Sequence, residues 1–583
     1  MPVITFEGVT WDYVPGPSLL DLLRRGRVKV ESPCGGKGTC GKCRVLVNGG
    51  GPISEEERTF LTDQEIQDGV RLACLCYPQG DLEVRPYGEA ERGLTVLEEG
   101  DMPPISLDPA VSFRAIKLPI PTLRDGKSLL DHLRSCIGVT EASLSLLRRI
   151  PQAFRAQEVT AVSHQGRVID LIPSEVDDLY GLAVDVGTTT VVVSLVSLST
   201  GKVLGSAGSI NPQKDFGLDV ISRIHHADSD GGLEDMRSAI VTCLNGLVDQ
   251  VCVDANVSRD RIYEMAVGCN ATMESLLLGI HPGSLGKAPF SPVVREGLSL
   301  SAEEVGLTLG NGAMVYCLPG VSAYIGSDIV AGMLVTELEE DRGIRLFIDI
   351  GTNGEIVLSI NGELSSCSCA AGPALEGMNI SCGMRASEGA VESVSLDGSV
   401  SFGVIGGVEA VGLCGSGILD VLSEVVRLGM VGKTGRLKEG PLVVDQDGAR
   451  RLVLQKSPPI EVTQGDIRQV QLARGAILSG FLSLLEAKGL TMDDLDQVLI
   501  AGQFGRHLSV ESLTGSGLIP KELKDRIRYC GNTSRTGSMM CLLSRSARKR
   551  AESLAGQVDY LELSVLEGYD RLFARCLQFE VSR

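Results

Sequence analysis

Three cysteines stand in the stretch SPCGGKGTCGKCRVLV, residues 32–47: Cys34, Cys40 and Cys43, in a C-x5-C-x2-C spacing. Gly35, Gly36, Gly38 and Gly41 lie between them. Thiolates at such spacing hold zinc or an iron–sulfur cluster. A structural zinc site usually offers two CxxC-like pairs, whereas here one loop gives three thiolates and a fourth must come from afar. The stretch RLACLCYPQGDLEV offers it, at Cys74 or Cys76. Glycines let such a loop wrap a cluster and aim backbone N–H groups at sulfur, which tunes its potential. The alternative is a zinc knuckle or a set of reduced core thiols, but three thiols crowded among glycines make poor core.

A second constellation lies far from the first. In YGLAVDVGTTTVVVSLVSLSTGKVLGS an apolar strand delivers Asp185, a turn follows at Gly187, Thr188 and Thr189, and Gly201 turns a second strand into a third. The design returns in RLFIDIGTNGEIVLSINGELSS, with Asp349, Gly351, Thr352 and Asn353, and its aspartate lies 164 residues after the first. The repetition is an internal duplication. Two such loops facing each other can hold a polyphosphate. Backbone N–H groups and threonine hydroxyls would donate to phosphate oxygens, while an aspartate orients Mg²⁺ waters or an attacking water. Three later segments belong to the same picture. DQVLIAGQFGRHLSVESL runs from an apolar strand to Gly502, Gln503 and Gly505, where backbone would lie close to a nucleoside. AVGLCGSGILDVLSEVV opens a helix at Gly415 and Gly417, and a helix start alone would explain those glycines about as well. CAAGPALEGMNISCGMRA places Glu376 at the expected cleft, as a catalytic or Mg²⁺-water residue or, equally, as a helix cap.

These groups need elements to hold them. MPVITFEGVTW reads as a β-hairpin, and the strands around the cysteines complete a β-grasp domain over about residues 1–88. The acidic, proline-bearing LTVLEEGDMPPISLDP has neither helical nor strand period and reads as a linker over 89–109, with an ordinary ordered connection as the alternative. Residues 110–178 hold a strand, two amphipathic helices and a strand pair, a small α+β domain without evident chemistry and so a spacer or dimerisation element. Residues 179–583 form the duplicated two-lobed domain.

Composition bounds the function. The chain has 583 residues, 43% of them hydrophobic and 22% charged, enough for several domains with sizeable cores. A net charge of -20 argues against nucleic acid or an anionic membrane as partner and leaves room for a basic docking face. No run reaches the roughly 18 apolar residues of a membrane span, and the N-terminus lacks a signal peptide's basic start and apolar core. Seventeen cysteines, an odd number unevenly spread, point to a reducing cytoplasm rather than a secreted disulfide framework. Cys367, Cys369, Cys382 and Cys414 near the expected cleft match no cluster spacing and read as buried thiols, and the six histidines show no ligand pattern.

The cysteine loop resembles that of [2Fe-2S] ferredoxins, whose plant-type spacing is C-x4-C-x2-C. The extra residue is similar to adrenodoxin-like and activator-type variants. In ferredoxins of this kind the fourth ligand sits three residues before a Tyr-Pro or similar turn, which implies Cys74, three before Tyr77-Pro78, and leaves Cys76 as a packing thiol. The paired hairpins resemble the acetate kinase, sugar kinase, Hsp70 and actin (ASKHA) superfamily, which has a duplicated RNase H-like fold. Together the parts resemble the ATP-dependent reductive activators of corrinoid proteins, including the activator of the corrinoid iron-sulfur protein and the O-demethylase activating enzymes. The resemblance runs nearly the whole chain, on CGGKGTCGKC, RLAC, DVGTTTVVV, INPQKDFGLDVISRI, IDIGTNGE, AAGPALEG, CGMRA, GLCGSGILD, TQGDIRQVQLARGAI, AGQFG, GLIP and GNTSRTGS. There are departures: GCNATMESLL, with Cys269, Ala271 and Glu274, stands where relatives show a G-N-T-x-M-H-like stretch, and AGQFG replaces A-G-A-F-G.

What the resemblance implies is repair. A corrinoid protein of a methyl-transfer system, inactive as Co(II), would be returned to Co(I) by one electron from the [2Fe-2S] cluster, with Mg²⁺ and ATP hydrolysis making the step possible. The electron would arrive from reduced ferredoxin, flavodoxin or an NAD(P)H reductase, and a homodimer stays open. Each ~59 mV uphill is a tenfold penalty for one electron, a gap that differential binding can bridge. The alternatives are a redox-sensing small-molecule kinase, an ATP-driven electron donor to another metalloenzyme such as a dehydratase, and a nucleotide sensor.

Overall fold

The structure is a computed structural model. It describes residues 1–583 apart from 7, 27, 29, 31, 33–35, 37, 39–40, 88–101, 139–140, 447–448, 503–507 and 580–583, and of 446 and 449 it describes the backbone alone.

The first five strands are β1 (Val3–Phe6), β2 (Val9–Asp12), β3 (Arg44–Asn48), β4 (Val70–Leu72) and β5 (Leu82–Pro86). They form a mixed sheet in the order β2-β1-β5-β3-β4, with β1 parallel to β5. Helix Leu19–Arg25 lays Leu19, Leu20, Leu22 and Leu23 on it, buried against Ile4, Val45, Leu72 and Val84. A mixed sheet grasping one helix is the β-grasp architecture. Buried Glu57 pins the chain leading to β4: Arg71 binds both its oxygens at 2.9 and 2.8 Å, and Leu72 N–H donates to it. Burial alone would raise this carboxyl's pKa, but the guanidinium and the N–H groups of Ser54 and Leu72 outweigh it and hold it low.

β6 (Val111–Lys117), β7 (Glu158–His164) and β8 (Arg167–Ile172) form an antiparallel sheet with helices Leu129–Ile137 and Leu144–Ala156. This unit is seated on the C-terminal part of the chain. The Tyr263 hydroxyl donates to Asp170 at 2.7 Å, and buried Glu264 lies 3.0 Å from His164 Nε2 and 2.8 Å from Arg548 Nη2. The described end of the expected linker is also seated, Asp108 accepting two hydrogen bonds from Arg545.

Two six-stranded sheets carry the rest. The first holds β9 (Tyr180–Val186), β10 (Thr190–Ser197), β11 (Val203–Ile210), β12 (Ile262–Cys269), β13 (Leu298–Ser301) and β14 (Met314–Cys317), ordered β11-β10-β9-β12-β14-β13. The second begins with β15 (Ile344–Ile350), β16 (Gly354–Ile360) and β17 (Glu363–Cys369). Two small three-stranded sheets are then inserted, β18 (Ala390–Ser395), β19 (Ser401–Val404) and β20 (Gly412–Leu413), and β21 (Val443–Gln446), β22 (Ala449–Lys456) and β23 (Pro459–Thr463). β24 (Gln497–Ala501), β25 (Ile527–Gly531) and β26 (Asp559–Tyr560) complete the second sheet in the order β25-β24-β15-β16-β17-β26. The duplication is visible strand by strand. β9 and β15 each pair antiparallel with the next strand and parallel with a later one, β12 or β24.

Helices Ser327–Thr336 and Thr533–Leu543 lie between the sheets, sharing one core with Ala183 and Ala266 of the first and Phe347 and Leu499 of the second. Helix Gln464–Ala487 passes the length and composition test for a membrane span, yet 72% of its most apolar window is buried, with Ile477, Phe481 and Leu484 in the core of the second lobe.

Candidate active site

The D-x-G-T turns face each other across a cleft between the lobes. Each is closed by its own backbone, Gly187 N–H to the Thr190 carbonyl at 2.9 Å and Gly351 N–H to that of Asn353 at 3.0 Å. Asp185, Gly187, Thr188 and Thr189 line one side and Asp349, Gly351, Thr352 and Asn353 the other, with Glu376, Gly415 and Gly502 also on the wall. Glu376 ends a 3-10 turn, Pro373–Glu376, that begins at Gly372, so it caps no helix start. Its carboxylate accepts from Thr189 Oγ1 at 2.5 Å and Thr352 Oγ1 at 2.9 Å, bridging the two turns. Gln503 and Gly505 lie outside the described residues. Gly417 is tied to packing, because a Cβ there would run into the Val391 carbonyl of β18.

Several cleft residues escaped the sequence reading. Asp328, at the start of helix Ser327–Thr336, and Glu355 on β16 join Asp185 and Asp349. Burial, then mutual repulsion, pushes Asp349 up to about 8 and Asp328 up to about 7, and drives Glu355 up as well. Burial also raises Asp185, against hydrogen bonds from Ser534 Oγ at 2.7 Å and Asn532 Nδ2 at 3.0 Å. Arg385 is the one cationic side chain among the described residues lining a wall that carries five carboxylates. The departing stretch GCNATMESLL does reach the site, Asn270 Nδ2 donating to Thr188 Oγ1 at 3.1 Å. Among the described residues no three His, Cys, Asp or Glu side chains gather closely enough to hold a metal directly. A cation here would sit on water and phosphate oxygens, as Mg²⁺ commonly does. Raised carboxyls, threonine hydroxyls and tight glycine turns fit a Mg²⁺-polyphosphate.

Of the cysteine site, Cys43 and Cys74 are described. Cys34 and Cys40 lie outside the described residues. Cys43 Sγ lies 3.2 Å from Cys74 Sγ, and Cys74 N–H points at Cys43 Sγ at 3.4 Å. Two thiolates on one tetrahedral metal with metal–sulfur bonds of about 2.3 Å would stand roughly 3.8 Å apart, so this pair is near enough to share an iron once the sulfurs part by about 0.6 Å. Gly38 and Gly41 have φ of +72° and +63°, and a Cβ there would press Leu75 or Phe60 at 2.9 or 2.8 Å. Cys76 points elsewhere, towards the Gly50 carbonyl at 3.6 Å, and burial pushes its thiol up to about 11. Cys367 and Cys369 meet the backbone carbonyls of Gly480 and Gly354 at 3.5 and 3.1 Å, and burial raises both. Cys382, raised likewise, meets that of Pro459 at 3.7 Å, and Cys414 that of Val391 at 3.2 Å.

Comparison with known proteins places both halves. Residues 4–79 match the 2Fe-2S iron-sulfur cluster binding domain family, 180–341 the RACo middle region, and 343–582 the C-terminal ASKHA domain of RACo. Corrinoid activation enzyme RamQ of Eubacterium limosum is 32% identical over 562 residues, covering 91% of each chain. The [Co(II) methylated amine-specific corrinoid protein] reductase of Methanosarcina barkeri is 24% identical over 68% of this chain and 76% of its own. The solved structure of a reductive activator for corrinoid,iron-sulfur protein superposes with a TM-score of 0.75 at 32% identity, covering 99% of this chain and 98% of that one.

Proposed function

Because the chain belongs to the family of reductive activators of corrinoid proteins, we propose that it returns a corrinoid protein from inactive Co(II) to Co(I), one electron at a time, at the expense of ATP. The observation that carries this is the union in one chain of a close thiol pair on a β-grasp sheet with a cleft between duplicated D-x-G-T hairpins.

Cys34, Cys40, Cys43 and Cys74 would hold the [2Fe-2S] cluster, which supplies single electrons at low potential. In the cleft Thr189 and Thr352 exchange Glu376 for phosphate oxygens, with the N–H groups of both turns donating beside them. Arg385 offsets phosphate charge. Asp185, Asp349, Asp328 and Glu355 would hold Mg²⁺ through water, the ion supplying charge neutralisation of the phosphates, and Glu376, once displaced, would orient the attacking water. Gly415 and Gly502 would approach the nucleoside, as the sequence suggests for Gln503 and Gly505 too. Residues 1–88 form the electron-carrying domain, 89–109 its tether, 110–178 a spacer and 179–583 the two-lobed ATPase. The partner is the corrinoid protein of a methyl-transfer system, the electron source a reduced ferredoxin, flavodoxin or NAD(P)H reductase, and the compartment the cytoplasm. Nucleotide state acts by differential affinity, each tenfold preference offsetting ~59 mV.

The test is anaerobic. Cluster-loaded, reduced protein mixed with a Co(II) corrinoid protein gives the Co(I) absorption band only with Mg-ATP. Cys74→Ala loses both the band and the reduced-cluster electron paramagnetic resonance signal, whereas Cys76→Ala keeps both. Activation at the wild-type rate by Cys74→Ala would overturn the electron route.

A further inference from the structure

Arg223, on helix Val220–Ala227, is wholly buried, and the acceptors around it are neutral. Its Nε donates to the Gly217 carbonyl at 2.9 Å and its Nη2 to the Thr188 carbonyl at 2.5 Å. Nη1 reaches Gln213 Oε1 at 3.3 Å and rests on Met273 Sδ at 3.0 Å. A guanidinium stripped of water and given neutral acceptors is expensive. Burial lowers its pKa to about 9, opposed by Asp219, Glu376 and Asp215, so the charge persists at neutral pH. Core packing would not select so costly a side chain. What Arg223 does is tie two backbone segments together: the first phosphate turn and the strap 211–217. Asn211 ties them again, its Nδ2 donating to the Gly187 carbonyl and its N–H to that of Thr189, both at 2.8 Å.

The far side of the strap touches the β-grasp domain. The Asp215 carbonyl accepts from Arg24 Nη2 at 2.5 Å and Ser32 Oγ at 3.3 Å, and Arg24 Nη2 also donates to Ser32 Oγ at 2.8 Å. Both residues border the cysteine site. Ser32 is two residues before Cys34, and Arg24 lies in the last turn of the helix whose Leu19 and Leu20 N–H groups bond the carbonyls of Cys76 and Ala73, either side of Cys74.

We propose that Arg223 is the positioning residue through which a nucleotide on the first phosphate turn sets the seat of the electron-carrying domain. This rests on the nucleotide reading of the cleft. A phosphate drawing the Thr188 and Thr189 amides towards it moves the Thr188 carbonyl, and the planar fork of Arg223 carries that shift into the strap holding Arg24 and Ser32. The two states then differ in contacts at the domain seat, which is what a ligand needs in order to bias them.

Hydrogen exchange by mass spectrometry on the full-length, cluster-loaded protein tests it, with and without Mg-ATP. In wild type, nucleotide changes exchange at least twofold in peptides covering 211–219 and 19–26. Arg24→Ala keeps nucleotide affinity within threefold and the response at 211–219, and loses the response at 19–26. Arg223→Gln still binds nucleotide but is silent at 19–26. Should Arg223→Gln fold poorly, Arg24→Ala and Arg223→Lys, with a weakened response, decide the matter. A wild-type response at 19–26 in Arg24→Ala or Arg223→Gln overturns the proposal, as does silence there in nucleotide-bound wild type. Failure of wild type to bind Mg-ATP at all would instead remove the nucleotide reading, and the proposal with it.

Discussion

Glu376 holds a place that an incoming phosphate needs. Its carboxylate accepts hydrogen bonds from the hydroxyls of Thr189 and Thr352, one from each half of the duplication, so the cleft is latched by the side chain expected to act in it. Glu376→Gln separates latch from catalyst. The amide keeps one acceptor and removes a negative charge from beside the phosphates, so nucleotide affinity holds or improves. An orienting residue for water contributes about a hundredfold or more to turnover, so phosphate release falls by that factor. Titration calorimetry and phosphate release read the two effects separately, and unchanged turnover would leave Glu376 a latch alone. At this scale the sequence was partly legible. Asp185, Asp349 and the turn threonines stand in local D-x-G-T strings, and a string can be read without a fold. Asp328 cannot be found that way, because it meets Asp185 only when a helix remote in sequence crosses between the sheets. Glu355, Arg385, Asn532 and Ser534 did have a signal, in IDIGTNGE, CGMRA and GNTSRTGS, but nothing local says that those side chains point at the cleft or at Asp185.

The elements explain why some glycines are required and others incidental. Gly502 follows β24, which runs parallel to β15, and with φ of +97° it passes so near Asp349 that a Cβ would stand 2.6 Å from Oδ1 and 2.8 Å from the Ile350 carbonyl. An L-residue there pays about 1–2 kcal/mol for the left-handed backbone and displaces the carboxylate besides. Gly502→Ala is therefore expected to weaken Mg-ATP binding tenfold or more, while the visible spectrum of the cluster, set by a separate sheet, stays as in wild type. Equal nucleotide affinity would show that Asp349 tolerates the shift. The hairpins were legible because apolar strands, a turn and a glycine return in the same order twice, and the paired sheets repeat that order. The seat of residues 110–178 was not. Its ties run through Asp170, His164 and Glu264, each unremarkable in its own stretch and meaningful only once β12 lies beneath. The strap contact was still less visible, since the Asp215 carbonyl that receives Arg24 is a backbone group that any residue would supply.

At the scale of the whole molecule the cleft is an electrostatic spring. Asp185 belongs to the first sheet, Asp349 and Glu355 to the second, and Asp328 to a helix between them. An unfolded carboxyl titrates near 4, whereas Asp328 and Asp349 are pushed up to about 7 and 8 by burial and then by neighbouring carboxylates, Asp185 acting on Asp328 and both Asp328 and Asp185 on Asp349. The folded, cation-free protein thus holds protons that the unfolded chain gives up. Stability from these groups is fully present below the unfolded value and is lost as pH rises through the folded values, from about 4 to about 8. Above that range the charges repel across the cleft, and Mg²⁺ with its nucleotide replaces the missing protons. In EDTA the thermal midpoint should fall between pH 6 and pH 8.5. Asp328→Asn, which removes one proton and one repulsion, should flatten the fall, and Mg-ATP should flatten it in wild type. A midpoint that stays level in EDTA, or an Asp328→Asn slope equal to wild type, would mean that the lobes do not feel these carboxylates. Closure would then depend on contacts elsewhere in the chain.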